Sequence, residues 1–256
     1  MIDYLETLVE SVEQPAEGYA LVRFVAAPPL AATPGQFVMV RGAWGRHPVL
    51  GRAFSLVEDG SAGAILVRVV GEGTRLLAGL RPGDPLSVLG PSGRGFEPLA
   101  SDRGALLVAG GAGVAPLLFL AERLCADGRR PRFFYGARSD EELPLRERVA
   151  ACSELVVATE DGSAGEHGLI TEPLARALED EQRPQLFACG PEPMLEVVAR
   201  LAVERGAPCQ VALESPMACG MGTCKGCAIL AADRGYRYVC SDGPVFAAAE
   251  IFGEGR

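Results

Sequence analysis

Four of the eight cysteines of this chain lie close together near its C-terminal end. They are Cys219, Cys224, Cys227 and Cys240. The first three follow the spacing C-x4-C-x2-C, and the fourth comes after twelve intervening residues. This is the spacing of plant-type [2Fe–2S] sites, in which one tight loop supplies three thiolates and a later segment supplies the fourth. Glycines between the first three cysteines allow backbone N–H groups to approach the cluster sulfides.

A structural zinc site is the nearest alternative to an iron–sulfur cluster. Zinc sites usually combine two short paired cysteine knuckles, whereas here the fourth cysteine stands alone. The pattern therefore favours the cluster. A third possibility is that these cysteines bind no metal and are close together by chance. The remaining four cysteines are dispersed among apolar neighbours and are expected to be small core residues. They are Cys125, Cys152, Cys189 and Cys209.

The charge balance and the first residues indicate which partners the chain can bind and in which compartment it is located. Acidic residues number 33 and basic residues 24, which gives a net charge of -9. Such a chain is a poor candidate for binding nucleic acid or an anionic membrane. The segment 1–6 carries acids where a signal peptide needs basic residues, so we expect a cytoplasmic protein. In that compartment clustered cysteines indicate metal ligands rather than disulfides.

The pattern of apolar runs divides the chain into three sections. Residues 1–100 contain short alternating runs separated by Gly/Pro turns, which predicts an antiparallel β-barrel. Residues 101–211 alternate strand and helix patterns, which predicts a doubly wound, mostly parallel α/β domain. Residues 212–256 are too few for a core of their own and are expected to be held by the cluster. The charge-free stretch 104–121 is interpreted as a buried strand, a turn and a helix start rather than a membrane span.

Two glycine-containing turns of the α/β section each follow a strand and precede a helix. The first contains Gly110, Gly111, Gly113 and Pro116. The second contains Cys189, Gly190, Pro191 and Met194. Each alone can be a plain structural turn, but in a parallel sheet both open at the carboxyl ends of strands, where ligands bind. Together they predict a dinucleotide site.

A flavin is predicted by electron counting. Nicotinamide moves two electrons as hydride, whereas a [2Fe–2S] cluster carries one, so a chain with both needs a cofactor that links the two modes. The barrel is the only section to which no cofactor has been assigned, so the flavin is expected to bind there. Arg52 can bind phosphate, Phe54 can line the isoalloxazine and Ser55 can hydrogen-bond near the reactive nitrogen. An amphipathic strand with a surface arginine is the alternative, and the 71–75 segment is either a phosphate-binding turn or a hairpin loop.

Several of these motifs resemble the ferredoxin–NADP reductase superfamily. They are Arg52-x-x-Ser55, Gly73-Thr74, Gly110-Gly111-x-Gly113-x-x-Pro116 and Cys189-Gly190-Pro191-x-Pro193-Met194. The tail segments 217–227 and 240–246, with their Cys240-Ser241-Asp242-Gly243-Pro244-Val245-Phe246 ending, are similar to one branch of it. That branch is the family of electron-transfer subunits of B-type dihydroorotate dehydrogenases, and the similarity covers essentially the whole chain.

The resemblance implies an oxidoreductase subunit with FAD on the barrel, NAD(H) on the α/β domain and the cluster facing an FMN-containing catalytic subunit. Dihydroorotate would be oxidised on that partner in pyrimidine biosynthesis, and electrons would pass from FMN through [2Fe–2S] and FAD to NAD⁺. The assembly would be a heterotetramer with two copies of each subunit. Ala53 stands where the family usually has proline. The residues implied to contact FAD are Arg52, Ala53, Phe54, Ser55, Val67, Arg68, Val69, Gly73 and Thr74.

Three alternatives remain open at the level of sequence. The same cofactors can serve a ferredoxin:NADP oxidoreductase or hydrogenase complex. An oxygenase reductase with FMN would need a full ferredoxin domain, for which residues 212–256 are too few. A zinc-stapled binding module would contain no flavin. Arg138-Ser139, after a predicted strand, can contact a 2′-phosphate, so NADP is an alternative to the NAD that the family likeness favours.

Overall fold

The N-terminal section folds into a closed barrel of six antiparallel strands. The computed structural model describes residues 3–98 and 100–253. The strands are β1 (Asp3–Glu13), β2 (Tyr19–Leu30), β3 (Phe37–Gly42), β4 (Arg52–Glu58), β5 (Gly60–Arg68) and β6 (Pro85–Ser92), and helix α1 (Glu72–Ala78) precedes β6. Their order is β1-β2-β5-β4-β3-β6, and pairing of β6 with β1 closes the barrel. The barrel predicted from the sequence is confirmed.

Strand β2 joins the barrel to the rest of the molecule because alternate side chains enter two different cores. Val22 and Phe24 pack inside the barrel with residues of the other strands. Tyr19 and Leu21 point the other way, into a core that also contains residues of the α/β section. Since both sides of the strand are covered over residues 19–24, its sequence there is apolar at nearly every position instead of alternating.

The central section contains alternating strands and helices. Its strands are β7 (Gly104–Gly110), β8 (Arg132–Ala137), β9 (Glu154–Thr159), β10 (Glu166–His167), β11 (Pro184–Cys189) and β12 (Cys209–Ala212). Its helices are α2 (Val114–Ala126), α3 (Arg146–Cys152), α4 (Thr171–Asp180) and α5 (Glu192–Glu204). One core contains side chains of α2 and α3 and the other contains side chains of α4 and α5, so helices cover both faces of the sheet.

The strand order of the sheet is β10-β9-β8-β7-β11-β12, and all these neighbours pair in parallel. The order reverses between β7 and β11, and in such sheets ligands bind at this switch point. Both glycine-containing turns therefore open at the same place. The charge-free stretch 104–121 forms β7 and the first half of α2, and among the described residues no helix is long and apolar enough to cross a membrane.

The C-terminal section contains β13 (Ala228–Leu230), β14 (Tyr236–Tyr238), β15 (Val245–Ala247) and helix α6 (Ala248–Phe252). Strands β13 and β14 form a small hairpin sheet, whereas β15 pairs antiparallel with β12 as the seventh strand of the central sheet. The sequence did not indicate this participation, because three residues are too short for a recognisable strand pattern. The assignment of residues 212–256 as a separate domain, like the boundaries at 100 and 211, stays a prediction.

The two turns at the switch point are packed directly against each other. A Cβ atom added at Gly113 would lie 2.1 Å from the carbonyl oxygen of Cys189. At Gly110 it would lie 2.7 Å from Cδ of Pro191. These glycines are therefore needed so that the turn after β7 can contact the turn after β11, independently of any ligand that binds there.

We expect Gly113→Ala to lower the free energy of unfolding by about 3 kcal/mol, because the new methyl group meets backbone that cannot move aside. Urea denaturation of the purified chain measures this. Gly79→Ala is the matched control, since its nearest neighbour would be an ordinary contact at 3.4 Å. Equal stability of the two variants would show that the turns are not tightly packed.

Candidate functional site

The predicted cluster ligands lie on a loop between β12 and β13 and on the residue that follows β14 by two positions. The sulfurs of Cys227 and Cys240 are 3.3 Å apart. Backbone N–H groups donate to the cysteine sulfurs: Gly222 to Cys240 at 3.1 Å and Cys224 to Cys219 at 3.5 Å. All of these thiols are free. Within the described ranges, no three cysteine, histidine or carboxylate side chains converge on the position of a single metal ion.

The chemistry of this donor set fits a [2Fe–2S] cluster. The Thr223 hydroxyl, followed by the backbone N–H groups of Met221 and Cys224, lowers the pKa of Cys219 to about 6. Such donors stabilise thiolates and bridging sulfides alike. Burial raises the pKa of Cys240 to about 12, so this thiol binds metal only with loss of its proton. The loop thus offers sulfur ligands surrounded by N–H donors.

The cysteine loop is held against the barrel by close backbone contacts. Gly220 has a φ of +69°, and a Cβ atom there would lie 2.4 Å from Cγ of Met39 on β3. Beyond Cys240, the backbone N–H of Arg94 at the end of the barrel donates to the Gly243 carbonyl at 2.6 Å. The N–H of Leu213, after β12, donates to the Pro244 carbonyl at 2.9 Å. The Gly243-Pro244 step therefore contacts both the barrel and the sheet.

A cavity of about 490 Å³ lies where the three sections meet. The barrel contributes the start of β4, the α/β section contributes Ala112 and Ala115, and the C-terminal section contributes the segment 213–217. Of the predicted flavin contacts, the cavity is lined by Arg52, Ala53, Phe54, Ser55, Arg68 and Thr74. The side chain of Val67 packs in the barrel core instead, and Val69 and Gly73 are outside the lining. The role of each of these residues in binding FAD stays a prediction.

The segment 71–75, expected to be a turn or a hairpin loop, is the start of helix α1. The Thr74 hydroxyl accepts hydrogen bonds from the N–H groups of Val70 and Gly71 at 2.9 and 3.0 Å, so it caps the helix instead of being free. Gly73 lies beneath the Arg52 side chain, because a Cβ atom there would be 2.3 Å from Nε of Arg52. The glycine thus leaves room for the guanidinium at the cavity edge.

The sequence did not single out Glu214, which lines the same cavity. Its side chain reaches solvent, but the protein surrounding it removes much of its hydration and raises its pKa, while Arg68 partly offsets this. The available signal was its position directly after the last parallel strand, where side chains gather at the ligand-binding edge. Met217 also lines the cavity, two residues before the first cluster cysteine.

A second cavity, of about 400 Å³, lies over the carboxyl ends of the parallel strands. Of the predicted nucleotide contacts it is lined by Gly110, Gly111, Pro191 and Met194. Gly113, Pro116, Cys189 and Gly190 are outside this lining. Cys152, Cys189 and Cys209 are buried, as predicted for core thiols, and burial raises the pKa of Cys189 well above its usual range. The prediction is wrong for Cys125, which is exposed near the end of α2. Arg68 lines both cavities, so the two cavities lie next to each other.

Comparisons with known proteins agree with this arrangement. The family model described as the iron–sulfur cluster binding domain of dihydroorotate dehydrogenase B matches residues 214–252. The model described as an oxidoreductase NAD-binding domain matches residues 107–200. A barrel, a doubly wound sheet and a cysteine loop that share one junction define a reductase of the ferredoxin–NADP reductase type.

Sequence comparison with known proteins identifies the branch of this superfamily to which the chain belongs. The chain is 42% identical over 226 residues to the electron transfer subunit of dihydroorotate dehydrogenase B (NAD(+)) of Geobacillus kaustophilus, covering 85% of this chain and 86% of that protein. The corresponding protein of Caldanaerobacter subterraneus is 39% identical, with the same coverage of both chains. The chain therefore belongs to the family of dihydroorotate dehydrogenase B electron transfer subunits, as predicted from its sequence.

A solved structure of an NADH-dependent reduced ferredoxin-NADP oxidoreductase superposes with a TM-score of 0.86 and 27% sequence identity, over 96% of this chain and 89% of that one. Its lower identity gives the alternative complex less support than the dihydroorotate dehydrogenase family. The predicted cofactor set of FAD, [2Fe–2S] and NAD agrees with the family assignment and with both matched domains.

We expect Gly220→Ala to reduce the iron and acid-labile sulfide bound per chain. The left-handed backbone at this position disfavours alanine by about 1–2 kcal/mol, and the new methyl group would push the loop away from Met39. Iron and sulfide analysis of the purified protein measures the change. Gly128→Ala, which has the same left-handed backbone (φ +76°) but no atom within 4 Å of its added Cβ, should keep the full content. A full content in both variants would contradict the proposed packing of the loop.

Proposed function

We propose that this chain transfers electrons between a dihydroorotate-oxidising catalytic subunit and NAD⁺. FAD would occupy the junction cavity, NAD(H) the cavity over the parallel strands, and a [2Fe–2S] cluster the cysteine loop. When bound, the flavin exchanges electron pairs with nicotinamide and single electrons with the cluster. The observation that carries the proposal is the junction cavity itself, which is lined by all three sections at once.

The chain's own residues support this order of sites. Arg68 lines both cavities, so the nucleotide and the flavin would be neighbours. Met217 lines the flavin cavity and stands two residues before Cys219, so the flavin and the cluster would also be neighbours. Arg52 at the cavity edge offers a planar guanidinium for phosphate, and Phe54 offers an apolar wall for the isoalloxazine. None of these roles needs a general acid or base.

The catalytic partner would dock on the exposed side of the cysteine loop. Cys227 and Cys240 are buried, whereas Cys224 is exposed and Lys225 beside it is also exposed. Lys225 is the single lysine of the chain, and its amine lies 5.4 Å from the centre of the Tyr238 ring. We infer that the partner contains FMN and that two copies of each subunit associate, as the family resemblance implies. A cytoplasmic location stays a prediction from the N-terminal sequence.

We expect Cys224→Ser to abolish electron transfer between NADH and the catalytic subunit while leaving NADH-dependent dye reduction largely intact. The dye accepts electrons from the flavin, which the substitution does not touch. Both activities are measured on the flavin-loaded complex. Cys125→Ser, on the far exposed end of α2, is the matched control. Equal loss of both activities in the folded Cys224→Ser protein would overturn the proposed order.

We expect Arg52→Ala to weaken FAD binding roughly ten- to a hundredfold, because a hydrogen bond between charged groups contributes about 1.5–3 kcal/mol. Flavin fluorescence during titration of the deflavinated protein measures the dissociation constant. Arg75→Ala serves as the control, since this exposed arginine on α1 lies outside the cavity lining. Unchanged affinity in Arg52→Ala would place the flavin elsewhere.

A further inference from the structure

The charged side chains that line the nucleotide cavity are Arg68, Arg138, Glu142 and Glu160. Arg138 directly follows β8 and Glu160 directly follows β9, so both lie at the carboxyl edge of the sheet. Glu142 reaches the same cavity from the short turn at 140–142. Two carboxylates and two guanidinium groups thus line this cavity, and Arg138 and Glu160 follow strands at the edge where an adenosine ribose lies in doubly wound folds.

Arg138 is engaged by Glu142. Its Nε donates to Oε2 of Glu142 at 3.1 Å, and its Nη2 donates to Oε1 of the same carboxylate. Glu142 also lies 3.7 Å from Nη2 of Arg68. The Nε–Nη2 edge of the guanidinium is therefore occupied by a carboxylate within the chain, which also neutralises part of its positive charge.

Glu160 is exposed on the cavity wall. Within the described part of the chain its carboxylate makes no direct ion pair and interacts with Arg138 only at longer range, so its oxygens remain open to a ligand. An ionised carboxylate accepts a hydrogen bond from a ribose 2′-hydroxyl but repels a 2′-phosphate. A 2′-phosphate that binds Arg138 would have to share the guanidinium with Glu142 or displace that carboxylate, and it would lie in a cavity lined by both carboxylates.

We propose that Glu142 and Glu160 make this chain select NAD over NADP. Glu142 does so by holding Arg138 in an ion pair, and Glu160 does so by adding a second negative charge to the same cavity. Arg138 is thus a latent 2′-phosphate ligand that the chain itself suppresses. This inference rests on the proposed function, because it assigns the adenosine half of the nicotinamide nucleotide to this cavity.

The test compares two fragments of the nucleotides, ADP and 2′,5′-ADP, whose binding to the FAD-loaded complex is measured by calorimetry. Wild-type protein should bind ADP more tightly than 2′,5′-ADP. Glu160→Gln should strengthen 2′,5′-ADP binding roughly three- to tenfold by removing one repelling charge. Glu142→Gln should strengthen it about tenfold by releasing Arg138. Neither substitution should strengthen ADP binding to the same extent.

Two further variants separate this mechanism from a general change of surface charge. Glu141→Gln removes the neighbouring exposed carboxylate, which lies outside the cavity lining, and should leave the ratio of the two affinities unchanged. Adding Arg138→Ala to Glu142→Gln should cancel the gain for 2′,5′-ADP. The ratio of kcat/KM for NADPH to that for NADH in dye reduction should follow the same order across the series.

The result that overturns the inference is an unchanged preference in both Glu142→Gln and Glu160→Gln. A gain in Glu142→Gln that survives Arg138→Ala also overturns it, since the arginine would then play no part. Wild-type protein that binds neither fragment would instead remove the nucleotide from this cavity, and the proposed function would fail together with the inference. Binding of ADP with no discrimination against 2′,5′-ADP would reject the inference alone.

Discussion

The Gly243-Pro244 step is hydrogen-bonded to the barrel on one side and to the parallel sheet on the other. The Gly243 carbonyl accepts from Arg94 at the end of β6, and the Pro244 carbonyl accepts from Leu213 after β12. The same segment continues into β15, which pairs with β12. Because Cys240 lies three residues before Gly243, this connection also sets where the cysteine loop sits. These backbone hydrogen bonds, together with the shared hydrophobic cores, therefore fix the three candidate cofactor sites relative to one another.

Arg68 is the electrostatic counterpart of that backbone connection. It lies at the end of β5 and lines both cavities. Its guanidinium pairs with Glu142 on the nucleotide side, and on the flavin side it partly offsets the burial that raises the pKa of Glu214. One cation from the barrel thus faces carboxylates of the α/β section and of the C-terminal section. Arg68 therefore contributes positive charge to both cavities.

Glycine has different roles in the three places where the sites come together. At Gly113 it allows two turns to touch, at Gly73 it leaves room for a guanidinium, and at Gly220 it allows a left-handed backbone against Met39. Only the last of these is a conformational requirement, and the others are requirements of space. A glycine-rich turn is therefore evidence for close approach of some group, which is the neighbouring turn in one case and a side chain in another.

Much of the architecture was predictable from the sequence because local patterns determine it. The alternation of strand and helix patterns indicated the doubly wound sheet, the short alternating runs indicated the barrel, and the spacing of Cys219, Cys224 and Cys227 indicated the cluster. These signals depend on neighbours along the chain, where side-chain direction repeats with the period of the element.

Only the tertiary structure decided which groups share a cavity. Glu214 lines the junction cavity although no sequence pattern indicated it. The side chain of Val67 was expected to contact the flavin, but it packs in the barrel core instead. The occupation of Arg138 by Glu142 depends on where a short turn folds back, so an arginine that suggested a phosphate site is paired within the chain. Sequence reveals which chemical groups are present, but contacts between distant segments determine which of them remain available to a ligand.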